Sequence, residues 1–147
     1  MLTVLLVTCC LVLLAVGVHY NALLYLTGFL HRRTMHVRRW VAVSILGLLM
    51  AHVIEVSFFA VGYAVLGYVD AYGDLIGQGF EEDKFLDYWY FSFVSYTSLG
   101  FGDITPTKLL RVMTAFETLT GLIMIAWSAS FLFVQMQHFW EEDSTQM

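Results

Sequence analysis

Ser98-Leu99-Gly100-Phe101-Gly102-Asp103 sets two glycines, one residue apart, against an aspartate in the most aromatic part of the chain. The surroundings are strongly apolar: 59% of the 147 residues are hydrophobic and 13% are charged, where soluble domains carry about a quarter charged. With a mean hydropathy of +0.73, a chain this small cannot hide its apolar side chains from water, and the composition points to a membrane protein. Non-helical backbone at membrane depth is tolerated only where it is buried in protein or lines a water-filled path. Two glycines in alternation permit positive φ at every second residue. Alternating φ lets successive carbonyls point the same way, which an ordinary strand forbids. A row of such oxygens replaces the water around a cation. In this reading the side chains of Leu99 and Phe101 are turned away into protein.

Outward from this stretch, three segments suit a bilayer of roughly 20 apolar residues per helix: 1–30, 41–69 and 107–136. The run from Phe85 to Leu99 amounts to about 22 Å of helix, too short to span, and suits a re-entrant element. The expected fold is an all-α membrane protein. It has three transmembrane helices, a short re-entrant helix at 85–97 and an irregular segment at 98–103. Four of the seven basic residues, Arg32, Arg33, Arg38 and Arg39, fall in the loop 31–40 and place it in the cytoplasm. The N-terminus and the loop 70–84 are then outside, and the short acidic tail 137–147 is inside. Lys108 and Arg111, at the outer start of the third span, count against this orientation. Trp40 and Trp140 suit interfacial anchors. Cys9 and Cys10 are helix neighbours that point different ways, so no mutual disulfide is expected, and their spacing is neither metal-binding nor redox. The net charge of −5 leaves no basic face for nucleic acid. Asp70, Asp74, Glu81, Glu82, Asp83 and Asp87 face a single Lys84 outside; they read either as a cation-concentrating vestibule or as a solvated loop.

The stretch from Tyr90 to Pro106 closely resembles the pore helix and selectivity filter of potassium channels, whose usual filter is T-V-G-Y-G-D. Leu109 to Gly121 resembles the inner helix of two-transmembrane bacterial channels. The resemblance runs from the second span to about Phe133 and leaves the first span outside. It implies a homotetramer in the cell membrane, with potassium as the permeant ion and no organic cofactor. It also implies that Ser98, Leu99, Gly100 and Phe101 offer carbonyls to the ion, with Gly102 closing the outer mouth. Asp103 would bond an aromatic donor on the short helix; Tyr90 is in register, Trp89 one position off, and Thr97 ends that helix. Serine, leucine and phenylalanine replace the family's usual threonine, β-branched residue and tyrosine, which implies a less rigid filter. Gly121 is open to two roles, a gating hinge or a close approach of helices. At helical spacing, Ile123, Ala126 or Trp127, Ser130 and Val134 are candidates to line the inner pore, with Trp127 or Phe131 as a constriction.

Four ionisable residues lie within spans, His19, His52, Glu55 and Glu117, and should face protein or water. His52 and Glu55 share a face three residues apart. With His19 and Asn21 they suit a polar contact docking the first helix, or a proton sensor. Glu117 suits a brace behind the filter or the hinge. Besides a potassium-selective channel, a weakly selective cation channel and a non-conducting accessory subunit fit the sequence. Enzyme activity does not: His52-Val-Ile-Glu55 is no zinc-protease pattern, and no nucleophile lies near a paired base in sequence.

Overall fold

The computed structural model describes residues 1–31, 37–78, 80 and 85–145. Four helices and one small sheet follow in the order α1 (Leu2–His31), α2 (Val37–Gly67), β1 (Leu75–Gly77), α3 (Phe85–Tyr96), β2 (Ile104–Pro106) and α4 (Leu110–Thr145). Three segments, Leu2–Gly28, Arg39–Gly67 and Leu110–Gln137, are long and apolar enough to cross a membrane. Several of their hydroxyl side chains fold back on their own helices: Thr8 donates to the Val4 carbonyl at 2.7 Å and Thr120 to that of Phe116 at 2.7 Å. Such bonds hide a polar group without a partner helix.

The element ends depart from the sequence reading in three places. α2 begins at Val37, inside the expected basic loop, and Trp40 is buried rather than standing at an exposed boundary. α4 starts three residues later than the inner helix was expected to, because 107–109 form a turn in which Lys108 takes φ +44°. It also continues to Thr145, where a short tail was expected. The loop 70–84 contains β1, which pairs antiparallel with β2 in the register Leu75↔Pro106, Ile76↔Thr105 and Gly77↔Ile104. Thr107 closes the pairing: its hydroxyl donates to the Asp74 carbonyl at 2.9 Å and accepts the Asp74 amide at 2.8 Å. Three-residue strands carry too little periodicity to be read from sequence. Arg32, Arg33, Glu81, Glu82, Asp83, Lys84 and the side chain of Trp140 lie outside the described residues.

α1 lies along α2 and α4, and α3 is wedged between α2 and α4. One apolar cluster joins Val4 and Ala15 of α1, Phe59, Tyr63 and Leu66 of α2, Tyr88 and Phe91 of α3, and Leu110 and Met113 of α4. A second joins Leu23, Leu26 and Leu48, with Phe131 packed against it. Phe131 therefore belongs to the contact with α1 and α2. Between lipid-facing helices no hydrophobic force drives association, so close van der Waals fit has to supply it.

Gly121 makes the tightest of these fits. A Cβ there would sit 2.1 Å from the carbonyl oxygen of Tyr96, a backbone atom at the end of α3. α4 runs through Gly121 without a break. Gly121→Ala is expected to push α4 off α3 at a cost of about 1–3 kcal/mol, lowering the apparent melting temperature of the detergent-solubilised protein. An unchanged melting temperature with altered gating would return the residue to a hinge role.

Candidate ion pathway

α3 ends in a motif that sets up everything after it. The Ser98 amide donates to the Ser95 carbonyl at 3.0 Å and the Leu99 amide to the Val94 carbonyl at 2.9 Å. Ser98 itself takes φ +57°. This is a Schellman cap, in which one left-handed residue satisfies two orphan carbonyls of the helix. Glycine usually fills that position, so a serine there gives no sequence signal.

The left-handed residue at the cap is the first of a series. Gly100 has φ +57° and Gly102 φ +80°, while Leu99 and Phe101 between them are not in the positive region. The sequence expected alternation from the glycines; the backbone extends it to Ser98. The side chains of Leu99 and Phe101 are 58% and 65% exposed, so within one chain they are not turned into protein as expected. Beside them a surface concavity of about 550 Å³ is lined by Ile76, Gly77, Gln78, Phe101, Gly102, Asp103 and Thr105. Thr97 donates to the Phe93 carbonyl at 2.7 Å and is exposed.

The segment is anchored at its outer end. The Tyr90 phenol donates to Asp103 Oδ2 at 2.8 Å, and the Asp103 carbonyl accepts the Gln78 amide at 3.2 Å. Trp89 instead donates to Ser57 Oγ at 3.0 Å, tying α3 to α2. The Tyr90 hydrogen bond holds the Asp103 carboxyl below its ordinary value, and the same bond pushes the phenol up. A depressed carboxyl contributes stability above its unfolded pKa, about 3.9, and that contribution is lost as pH falls through the lower folded value. In Tyr90→Phe the Asp103 titration, read by carbon NMR of the carboxyl, should shift towards the ordinary midpoint. An unmoved midpoint would mean that the phenol does not hold the carboxylate.

A family model described as ion channel matches residues 49–138, more than half of the chain. The chain belongs to this ion channel family. No curated protein matches it.

In this ion channel chain the four ionisable residues named within the spans fall into two groups. Glu117 of α4 is fully buried; its carboxyl meets Tyr63 of α2, whose phenol donates to Oε2 at 2.5 Å, and Ser92 of α3. Ser92 Oγ also lies 2.8 Å from the Val56 carbonyl, and Tyr63 reaches Thr114 at 2.9 Å. Glu117 thus joins α2, α3 and α4. The second group gathers His19, His52 and Glu55. Asn21, expected among them, bonds the Gly17 carbonyl of its own helix at 2.7 Å and is exposed; two residues further along α1 it has turned to another face. The partners that sequence reasoning missed, Tyr63, Ser92, Tyr96 and Ser128, are single polar residues in apolar helices. That isolation is a weak signal, and nothing in it says which carboxylate each one meets.

On α4, Ile123, Ala126, Ser130 and Val134 form an exposed stripe. Trp127, also exposed, packs its ring 5.4 Å from that of His19 and 6.5 Å from that of Tyr20 on α1. In the loop before β1, Asp74 Oδ1 accepts the Leu75 amide at 2.7 Å, a structural turn rather than a free charge.

Proposed function

We propose that four copies of this chain form a potassium-selective channel, in which carbonyls of Ser98, Leu99, Gly100 and Phe101 replace the ion's water and Gly102 forms the outer mouth. The observation that carries this reading is the run of left-handed φ at Ser98, Gly100 and Gly102 with ordinary φ between, the backbone pattern that lets successive carbonyls share a direction. A ring of such oxygens needs several copies around one axis. The exposed Leu99 and Phe101 and the exposed stripe on α4 support that assembly, because one chain leaves them uncovered. α3 carries Asp87 in its first turn and directs its carbonyl end towards Ser98, so its dipole favours a cation there. In this scheme α3 is the pore helix, α4 the inner helix, α1 an additional span, and the 31–40 loop faces the cytoplasm with the N-terminus outside.

The test is flux into liposomes holding the purified full chain. Potassium and rubidium are expected to pass at rates at least tenfold above sodium. Equal sodium flux would replace the proposal with a weakly selective pore, and no flux of any cation would make the chain an accessory subunit.

A further inference from the structure

His19 of α1, His52 and Glu55 of α2, Tyr96 at the end of α3 and Ser128 of α4 meet in one polar knot inside an apolar bundle. His19 Nδ1 lies 3.0 Å from Glu55 Oε1, and His52 Nδ1 lies 3.3 Å from Glu55 Oε2. The other face of both rings meets one hydroxyl: Ser128 Oγ is 3.1 Å from His52 Nε2 and 3.3 Å from His19 Nε2. Tyr96 donates to Glu55 Oε2 and stands 3.1 Å from His52 Nδ1. His19 and Glu55 are fully buried, and the His52 side chain is 18% exposed, the one partly open member.

Counting protons shows that these groups are one positive charge short. Glu55, His19, Ser128 and His52 close a ring of four contacts, each of which needs a proton or a cation between its two atoms. Two neutral imidazoles and one hydroxyl supply three protons, and a carboxylate supplies none. One contact is then lone pair against lone pair. Tyr96 can lend its proton to His52 Nδ1, but only by taking it from Glu55, which leaves a poorly bonded carboxylate in a membrane interior.

We propose that His19, His52 and Glu55 bind one divalent transition-metal ion of the zinc or cobalt class, with Tyr96 placed as a fourth ligand. Ligand atoms of all three lie within 4.8 Å of one another. Bonds of 2.0–2.1 Å in a tetrahedral site put ligand atoms about 3.3 Å apart; the His19 and His52 Nδ1 atoms stand 3.0 and 3.3 Å from the two different oxygens of Glu55, so a small shift of the carboxylate would bring one oxygen to both. A metal on both Nδ1 atoms fixes both rings with protons on Nε2, and Ser128 Oγ has the two lone pairs to accept both. Every contact in the ring is then satisfied. Two imidazole nitrogens select against calcium and magnesium, which take oxygen ligands. His19 comes from α1 and the other two ligands from α2, so the ion clamps the additional span to the family core.

The experiment uses the full chain in detergent, stripped with chelator and titrated with Co²⁺ and then Zn²⁺. The expected result is one Co²⁺ per chain, with the intense visible bands of a four-coordinate site, displaced by Zn²⁺, and a higher melting temperature with Zn²⁺. His19→Ala should lose affinity at least 100-fold and abolish the Zn²⁺-dependent rise. Should His19→Ala fail to fold, Ser128→Ala keeps all the ligands and should weaken binding 10- to 100-fold. Failure of the wild-type chain to bind Co²⁺ stoichiometrically would overturn the proposal and leave an extra proton as the missing charge. Binding that survives both substitutions would also overturn it, locating the metal on other histidines. These readouts do not depend on conduction, so they stand or fall apart from the channel proposal.

Discussion

Gly100→Ala is expected to abolish potassium flux while leaving the assembled protein intact. At φ +57° an alanine Cβ crowds the following carbonyl, at about 1–2 kcal/mol per residue, repeated in every copy of the proposed assembly. The cheap escape is rotation of the adjoining peptide, which turns a carbonyl away from the pathway. Nothing stands within 4 Å of the Gly100 Cβ position within one chain, so the strain lies in the backbone and not in a clash with the helices. Ser98 shows that a side chain can live at the same φ, but there the Ser98 and Leu99 amides bond α3 at 3.0 and 2.9 Å, whereas the Gly100 amide reaches the Val94 carbonyl at 3.3 Å. Rubidium flux at the liposome background, with an unchanged elution volume in detergent, is the expected result. Flux within twofold of wild type would mean that left-handed backbone at Gly100 plays no part in conduction.

Glu117→Ala is expected to cost the fold more than any other single side-chain truncation described here. The carboxyl sits at the junction of α2, α3 and α4, fully buried, with Tyr63 and Ser92 on its two oxygens. Truncation leaves a cavity and removes both hydrogen bonds to the carboxyl, together about 2–5 kcal/mol, while Tyr63 keeps Thr114 and Ser92 keeps the Val56 carbonyl. Glu117→Gln separates the contributions. The Ser92 hydroxyl has one proton and two acceptors, the Val56 carbonyl and Glu117. A glutamine can donate to Ser92 Oγ while its carbonyl accepts from Tyr63, freeing Ser92 to donate to Val56. Glu117→Gln should therefore melt within a few degrees of wild type, while Glu117→Ala should melt far lower or fail to assemble. Equal losses in both would show that a charged carboxylate is needed there.

The three spans and the short helix were legible because a bilayer demands long apolar runs, and run length survives in one dimension. The two glycines before Asp103 were legible for a related reason: only glycine takes left-handed backbone freely, so its spacing reports the conformation directly. The register of Tyr90 with Asp103 came from the resemblance, and the structure puts the two at 2.8 Å. Ser98 as a helix cap was hidden, since a serine carries no mark of positive φ. The strands at 75–77 and 104–106 were hidden by their length.

Sequence by itself determined that this is a membrane chain of three apolar spans with a glycine-alternating segment before the last, since hydropathy and the unique backbone freedom of glycine are properties of single residues. Only the tertiary structure decided which polar residues meet. It placed the Tyr96 carbonyl against Gly121, and it packed Trp127 beside His19 and Phe131 beside Leu23, Leu26 and Leu48. It also took Asn21 out of the His19–Glu55 contact and brought Ser128, 109 residues away, to His19. The physical reason is rotation: an apolar helix in lipid is greasy on every face, so its pattern does not say which face turns inward. Helix contacts in three dimensions settle that choice.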